Sequence, residues 1–546
     1  MLTHRPATPN SPIATRHAPC PSRLLAKANA LAIAAAALLS LTANAHTLRL
    51  ANQGDPMSMD PHSLQESFQL SFLGNIYEPL IGRDRNFALT PMLATAWEAT
   101  SPTIWRFKLR QGVKFHDGSA FTADDVIFSY QRTQSESSDT KLYVAPIKAM
   151  RKIDAYTVEM ETAQPMPILP DLLSGWLVMG KNWAEKNNAG VPADVRKGTE
   201  NHASLNANGT GPFQLKQRQP GVRTVLEPFD GWWGQKEHNL TEVVFTPIAN
   251  NATRVAALVS GEVDLMEPVP LQDIQRIQSS ANLQVLQKPE LRTMYLGLDV
   301  GRDELLYSNI KGKNPLKDIR VRQALYQAID IETIRSKIMR GAAQPAGIIV
   351  APGVRGYEAS LDKRLPYDPA AARKLLAEAG YPNGFELGLH CPTDRYVNDQ
   401  AICQSVTAMW TRAGIKTTLY AETKALYLPR AFKRDVSAFL LGWQPASNDA
   451  QNTLWALLNT PANDGRGRFN LGGYANPKLD ALTHDIGVEI DPAKRQGLMK
   501  AAWQIVQDDI PVLPLHNQNL AWGVKRNIDV VQQPDNSQPL RYIHVR

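Results

Sequence analysis

Residues 105–126, WRFKLRQGVKFHDGSAFTADDV, contain the pattern that decides how this chain folds. Phe107 and Leu109 alternate with basic residues, as in a strand that buries one face. Thr122 has the chemistry of a helix N-cap, and Asp125 stands where a capping box needs an acidic residue. The stretch therefore predicts a strand, a turn and a helix, and we assign these residues a structural role.

Strand and helix patterns alternate along the rest of the chain. Helix starts are predicted at Asp318, at Asp368-Pro369 and at Asp491-Pro492, and Gly380 is expected to end the second of these helices. Short strand patterns lie between the helices, at residues 222–226, 242–245, 294–298, 385–389, 416–420 and 438–441. Strands interleaved with helices predict a layered α/β protein.

The first 45 residues have the organisation of a secretory signal peptide. Residues 1–27 carry basic residues and no acidic ones, and an apolar Ala/Leu-rich run follows at residues 31–41. This run is short for a membrane-spanning helix. Ala43-Asn44-Ala45 then gives the small-x-small cleavage pattern, and no Cys stands directly after the apolar run to carry a lipid. We expect cleavage after Ala45 and a freely soluble, exported mature chain.

Composition narrows the class of protein. About 500 residues remain after the predicted signal peptide, which is more than a single core usually supports, so at least two domains are expected. Part of the formal charge of +7 lies in the signal peptide, and no basic stripe suggests nucleic acid. Cys391 and Cys403 can form a disulfide or remain buried thiols. His390 beside Cys391 matches no standard metal spacing, so no metal site or cofactor is expected.

Several motifs in order along the chain resemble those of one protein family. Besides residues 105–126, they are NGTGPFQL at 208–215, GEVD at 261–264, PLKDIRVRQALYQAID at 315–330 and the segment 367–385. The chain resembles the periplasmic solute-binding proteins of the dipeptide, oligopeptide and nickel ABC importers, extracellular solute-binding protein family 5. The resemblance implies a protein that captures a solute and delivers it to an inner-membrane permease. A freely soluble solute trap needs an outer membrane to retain it, so the resemblance places the mature chain in the periplasm of a Gram-negative bacterium.

The same resemblance implies a two-lobed periplasmic-binding-protein fold of the α/β class, with the solute in a cleft between the lobes. Lobe 1 is expected to contain residues 46–290 and 515–546, with an accessory subdomain near 78–175. Lobe 2 is expected to contain residues 291–514. We expect a monomer, in which solute binding stabilises a closed form.

Two candidate binding residues follow from the resemblance. Arg395, in HCPTDRYVND at 390–399, stands where peptide-binding relatives place an arginine that pairs with the peptide carboxylate. A guanidinium suits that role because it is always charged and can bond a carboxylate through two N–H groups. Glu66, in the segment 62–68, lies where relatives line the cleft from the first lobe, and it is a candidate acidic partner.

The segment LGWQPASNDAQNTLW at 441–455 supplies the other candidates. Gly442 and Trp443 match the Gly-Trp of relatives, in which an Asp shortly afterwards pairs with the peptide amino group. Ala446 occupies the position of that Asp, and Asp449 matches a second acidic position. Gln444 offers a neutral donor and acceptor. Either another acid replaces the missing carboxylate, or the solute lacks an ordinary free amine there.

Three functions remain as hypotheses. The first is a binding protein for a peptide or peptide-like solute. The second is a binder of a metal chelate or haem, for which His390, His484 and His516 are scattered candidates. The third is a periplasmic hydrolase, but the sequence has no Gly-x-Ser-x-Gly, no His-Glu-x-x-His and no phosphate-binding loop. We therefore expect no catalytic residues.

Overall fold

The computed structural model describes residues 46–463 and 465–546, and the predicted signal peptide lies outside these residues. Thr47–Arg546 form one unit, to which the following description applies. In the described ranges, no helix is both long enough and apolar enough to cross a membrane.

Nineteen strands make up the sheets of the described chain. They are β1 (Thr47–Asn52), β2 (Ile81–Arg83), β3 (Leu89–Pro91), β4 (Ala94–Ser101), β5 (Ile104–Leu109), β6 (Ile147–Asp154), β7 (Thr157–Thr162), β8 (Phe213–Gln219), β9 (Arg223–Pro228), β10 (Glu242–Pro247), β11 (Leu265–Glu267), β12 (Leu283–Leu298), β13 (Ala343–Pro345), β14 (Glu386–Pro392), β15 (Lys416–Glu422), β16 (Ala438–Trp443), β17 (Val512–Lys525), β18 (Ile528–Asp529) and β19 (His544–Val545).

Helices fill most of the connections between these strands. The α-helices are α1 (Ser67–Leu73), α2 (Ala123–Thr133), α3 (Leu169–Leu173), α4 (Lys181–Lys186), α5 (His202–Leu205), α6 (Asn251–Ser260), α7 (Ile274–Gln278), α8 (Ile319–Gln327), α9 (Ile331–Thr333), α10 (Pro369–Glu378), α11 (Asp399–Arg412), α12 (Lys424–Phe432), α13 (Ala450–Thr453), α14 (Pro477–Val488) and α15 (Pro492–Asp509). Short π-helical turns extend α9 at Ile334–Ile338 and α13 at Leu454–Leu458.

One large mixed sheet organises the molecule. Its strand order is β15-β14-β16-β12-β17-β11-β1-β10-β9-β8, and β13 pairs with β17 outside this path. β1 pairs in parallel with β10 and β11, and β14 pairs in parallel with β15 and β16. The mixture of parallel strands, antiparallel strands and connecting helices confirms the predicted α/β class.

Two strands in the middle of this sheet are much longer than the others. β12 has 16 residues and β17 has 14. They pair antiparallel from Leu283, opposite Lys525, and they connect the β8–β11 side of the sheet with the β14–β16 side. The predicted lobe boundaries, after residues 290 and 514, fall inside these two strands. The exact boundaries stay predictions.

The stretch 105–126 forms the strand and helix that its pattern predicts. β5 pairs with β4 and β7 in a four-stranded sheet of order β4-β5-β7-β6, and Phe107 and Leu109 are buried. Thr122 caps α2, and both hydrogen bonds of the capping box with Asp125 are present. This sheet, α2 and the segment around Trp176 share one apolar core, within the region predicted as an accessory subdomain.

The other helix predictions agree with the structure at their N-termini. The side chains of Asp318, Asp368 and Asp491 each accept a backbone N–H of the first turn of α8, α10 and α15. Gly380 follows α10 with a φ of 92°, a left-handed conformation that glycine adopts at little cost. Each of the six predicted strand segments lies within or overlaps a strand of the large sheet.

Candidate functional site

A cavity of about 370 Å³ lies beside the long strand β12, which contributes Leu291, Arg292 and Tyr295. Its walls come from α1, the end of β16, the loop between β14 and α11, and the C-terminal segment after β18. Most of the predicted binding residues line it: Glu66, Arg395, Gly442, Trp443, Gln444 and Ala446. This volume is at the lower end of the range typical of small-molecule sites.

The loop that carries Arg395 is fixed at both ends. Asp399, the first residue of α11, accepts hydrogen bonds from the backbone N–H groups of Arg395 and Tyr396, both at 2.9 Å. A disulfide joins Cys391 at the end of β14 to Cys403 in α11, with 6.5 Å between their Cα atoms. The cysteines therefore form the disulfide that the sequence left open, and it brackets the Arg395 loop.

Removing this disulfide is expected to cost about 3 kcal/mol of unfolding free energy, because it closes a short loop in the unfolded chain. The Cys391→Ala/Cys403→Ala variant should show this loss in urea denaturation of the oxidised proteins. Reducing the wild-type protein should lower its stability to a similar extent. Equal stability of the oxidised wild type and the double variant would show that the crosslink does not constrain the unfolded chain.

Arg395 and Glu66 form an ion pair in the cavity wall. Nη2 of Arg395 lies 3.2 Å from Oε1 of Glu66, and both side chains are largely buried. The other oxygen of Glu66 accepts the backbone N–H of Gln69 at 3.0 Å and so caps α1. Burial acts to raise the pKa of Glu66, but the positive charges of Arg395 and Lys424 outweigh it, so the pKa lies below its ordinary value.

The Gly-Trp element stands at the end of β16, opposite the middle of β12. Gly442 pairs with Met294, and a Cβ atom at Gly442 would approach Arg292 and Tyr396 to 2.9 Å. Glycine therefore allows these two side chains to come close to the strand. The indole N–H of Trp443 donates to Thr453 Oγ1 at 3.0 Å, and its ring packs 5.2 Å from that of Phe469. The ring thus forms a rigid wall of the cavity.

Arg292 is a charged residue of the site that sequence reasoning missed. Its Nε donates to Glu290 at 2.9 Å, and its Nη2 reaches Ser67 at 3.3 Å and Gln444 Oε1 at 3.2 Å. The register between β12 and β17 shifts between Pro289 and Thr293. Such an irregularity can turn side chains out of the ladder, which accounts for the buried charged pair at this point of β12.

Asp449 does not stand with the other candidates, which departs from its predicted place in the cleft. It is fully buried outside the cavity lining. Its two oxygens accept hydrogen bonds from Nη1 and Nη2 of Arg495 at 2.6 and 2.8 Å, and one of them also caps α13. Ala446 does line the cavity, and its backbone N–H donates to Asn452. Asp449 therefore leaves the charge missing at Ala446 unreplaced.

Asp535, which follows β18, is a second residue that sequence reasoning missed. It lines the cavity beside the Gly-Trp segment, because Gln444 Nε2 donates to its backbone oxygen at 3.3 Å. Its side chain accepts only from the backbone and hydroxyl of Ser537. Burial raises the pKa of Asp535 despite these bonds. Of the two carboxylates that line this cavity, Asp535 is the one that forms no ion pair within the described residues.

Further ion pairs lie outside the cavity lining and join segments that are far apart in sequence. Asp171, in α3, pairs with Arg355, and Asp139 pairs with Arg468 at 2.8 Å. Both aspartates belong to the predicted lobe 1, and both arginines belong to the predicted lobe 2. Together with Glu66–Arg395, these are three ion pairs between the predicted lobes.

Nothing in the described ranges assembles a metal site. No group of three or more His, Cys, Asp or Glu side chains is placed to hold a metal there. His390, His484 and His516 are absent from the lining of the large cavity. His390 is buried against the rings of Tyr307 and Tyr420. The three candidate histidines therefore do not come together in one site in the described residues.

Comparison with known proteins identifies the family. The profile described as "Bacterial extracellular solute-binding proteins, family 5 Middle" matches residues 88–465. The dipeptide-binding protein of Escherichia coli (strain K12) is 27% identical over 524 residues, which cover 90% of this chain and 92% of that protein. The glutathione-binding protein of the same strain is 27% identical over 512 residues, covering 91% and 94%.

A solved structure agrees over nearly the whole chain. A periplasmic binding protein associated with an ABC transporter from Helicobacter pylori, in complex with the peptide STSA, superimposes with a TM-score of 0.81 at 24% identity. The match covers 91% of this chain and 98% of that one. It confirms the predicted two-lobed α/β periplasmic-binding-protein fold. The chain belongs to the bacterial extracellular solute-binding proteins of family 5.

Proposed function

We propose that this protein is the periplasmic component of an ABC importer and that it binds a peptide or peptide-like solute in the large cavity. The observation that carries the proposal is that Arg395 and Asp535, a carboxylate without an ion pair in the described residues, line the same cavity. A peptide carries a carboxylate and an ammonium, which are the complements of these two groups. Relatives named for dipeptide and glutathione binding fit this chemistry.

Arg395 takes the solute carboxylate in this proposal. Four arginines line the cavity against two carboxylates, so its charge favours an anionic group. Glu66 already pairs with Arg395 through a single N–O contact. A guanidinium has five N–H donors, so it can hold a solute carboxylate on another edge while it keeps this contact.

Asp535 takes the solute amine. The side chains of Glu66 and Asp449 are engaged by Arg395 and Arg495, and position 446 is an alanine. The positive charge of Arg83 acts on Asp535, but Arg83 itself pairs with Asp171 at 3.1 Å. Burial raises the pKa of Asp535 and so favours its neutral form. An ammonium beside this carboxyl group would offset burial and favour the ionised form.

The remaining parts of the proposal concern the state of the protein. It is exported with cleavage after Ala45, acts as a monomer and delivers its solute to an inner-membrane permease without catalysis. The named relatives are binding proteins, which supports a role without turnover.

Native and denaturing mass spectrometry of the gently purified mature protein tests the function. A retained peptide or amino-acid conjugate is expected, and its mass identifies the class of solute. A metal or porphyrin mass would replace the proposal by the chelate or haem hypothesis. If the protein is empty, a peptide panel is screened by thermal shift, where a ligand at about 100 times its Kd adds about 2.7 kcal/mol. Absence of any shift across that panel would contradict peptide binding.

Replacing Asp535 by asparagine is expected to weaken binding of a peptide with a free amino terminus by about tenfold or more, because a charge pair in the cavity is lost. The same peptide with an acetylated amino terminus should bind both proteins equally. Isothermal titration calorimetry with the two peptides gives this comparison. An equal loss for both peptides would remove Asp535 from the amine site.

A further inference from the structure

A second cavity adjoins the large one. It has a volume of about 80 Å³ and shares Ser67, Arg292, Arg395 and Tyr396 with the lining of the large cavity. A volume of this size exceeds the space that a single water molecule needs, so it can also hold the end of a side chain. The shared residues make it an extension of the binding region.

Glu267, at the end of β11, lines this second cavity and is only 1% exposed. Its Oε1 accepts a hydrogen bond from Asn52 Nδ2 at 2.7 Å. Its Oε2 has no hydrogen-bond partner in the described chain, and the neighbouring amide of Gln538 makes no bond to it. A buried acceptor without a partner costs free energy, so this oxygen is expected to serve a bound group.

The other carboxylate of the second cavity is already satisfied. Glu290 accepts from Nε of Arg292 through one oxygen and from Nε2 of Gln518 through the other. Arg395, at the junction of the cavities, pairs with Glu66. Glu267 is therefore the carboxyl of this wall that retains a free oxygen.

We propose that the second cavity is a subsite for a cationic group of the solute, an ammonium or guanidinium at the end of a side chain, and that Glu267 is its partner. The inference rests on the proposed function and deepens it, because it specifies a basic side chain on the peptide-like solute. A free monovalent cation shares this chemistry and is the other source that the experiment must separate.

Binding at this subsite is linked to a proton. Burial, with a smaller effect from the negative charge of Glu290, raises the pKa of Glu267 to about 8, although the nearby amides of Gln538 and Asn52 and the charge of Arg254 act to lower it. At pH 7 most of the empty sites are therefore protonated. A cation beside Glu267 lowers its pKa, so binding releases a proton below pH 8, and affinity rises as the pH increases towards 8.

Two matched peptides test the subsite, one with a lysine and one with a norleucine at the same position. The wild-type protein is expected to bind the lysine peptide about tenfold or more tightly. At pH 7, calorimetry in buffers of different ionisation heat should show that the lysine peptide releases more protons than the norleucine peptide, because both share the amino terminus but only lysine reaches Glu267. These measurements need no variant, so they remain decisive even if a substitution impairs folding. Equal affinities of the two peptides, with no additional proton released by the lysine peptide, would overturn the inference.

Glu267→Gln is the variant that isolates the carboxyl. Glutamine can keep the hydrogen bond from Asn52, so the variant is expected to fold, to bind the norleucine peptide normally and to lose the preference for lysine. Glu262→Gln, which changes an exposed carboxylate of the same segment, should keep that preference. An unchanged lysine preference in Glu267→Gln would exclude Glu267 as the partner.

Further measurements distinguish a basic side chain of the solute from a free cation, and failure of the subsite from failure of the proposed function. Stabilisation of the peptide-free wild type, but not of Glu267→Gln, by KCl relative to tetramethylammonium chloride would assign the subsite to a free cation and overturn the solute assignment. If neither peptide binds the wild type, the proposed peptide function itself fails. If both bind equally, only the subsite fails.

Discussion

Arg395→Ala is expected to weaken binding of a carboxylate-bearing solute by about 30-fold to several thousand-fold. The estimate corresponds to the roughly 2–5 kcal/mol that truncating one partner of a buried charge pair costs. Arg395 is 19% exposed at the cavity wall, where water screens the pair only weakly. Calorimetric titration of the wild-type and variant proteins with the solute found by mass spectrometry measures the effect.

The matched ligand for this experiment is the same solute with its carboxylate converted to an amide. It should lose affinity for the wild type but show little difference between wild type and Arg395→Ala. Arg395→Lys retains the charge without the forked donors, so an intermediate affinity is expected. Unchanged affinity of a folded Arg395→Ala protein for the carboxylate solute would exclude Arg395 from the carboxylate site.

Asp449→Ala is expected to lower the free energy of unfolding by about 3–5 kcal/mol, because it leaves the buried Arg495 guanidinium without its counter-charge. Asp449 is fully buried, and it also accepts the N–H of Gln451 at the start of α13. Its loss therefore removes a helix cap as well as the ion pair. Chemical denaturation of the purified variant measures the change.

Solute affinity separates a structural role of Asp449 from a binding role. Under conditions where the variant is folded, its affinity should equal that of the wild type, since the carboxylate lies outside the cavity lining. Arg495→Ala should also destabilise the protein, because the buried Asp449 charge then keeps only the longer contact with Arg355 Nε, at 3.5 Å. A stable Asp449→Ala protein that loses affinity would instead support the role predicted from the sequence.

The parts of the fold that depend on residues close together in sequence were predictable from the sequence. Thr122, Asp318, Asp368 and Asp491 were identified as N-caps because a cap and its helix are neighbours in sequence. β12 was predicted only from residue 294, whereas it begins at Leu283. The polar residues and Pro289 before that point broke the strand pattern, and only pairing with β17 keeps them extended.

The candidate site was predictable where one motif contains it and unpredictable where distant segments meet. Arg395 and the segment 442–446 were found through motifs, and they line one cavity. Asp449 matched its motif equally well, but its partner Arg495 lies in a helix that the motif does not include. Asp535 and Arg292 belong to no recognised motif. Arg292 could still have been suspected, because it is a charged residue directly beside an apolar strand segment.

Two ion pairs between the predicted lobes, Asp171–Arg355 and Asp139–Arg468, are exposed enough for ionic strength to affect them. Arg355 and Arg468 are 54% and 37% exposed, so dissolved salt screens their attraction to Asp171 and Asp139. If these contacts hold the two lobes together, higher salinity lowers the fraction of molecules with an assembled cavity. The apparent affinity falls with that fraction, even for a solute without charge. We therefore expect the apparent affinity for an uncharged solute to fall as the salt concentration rises, through contacts that the solute never touches.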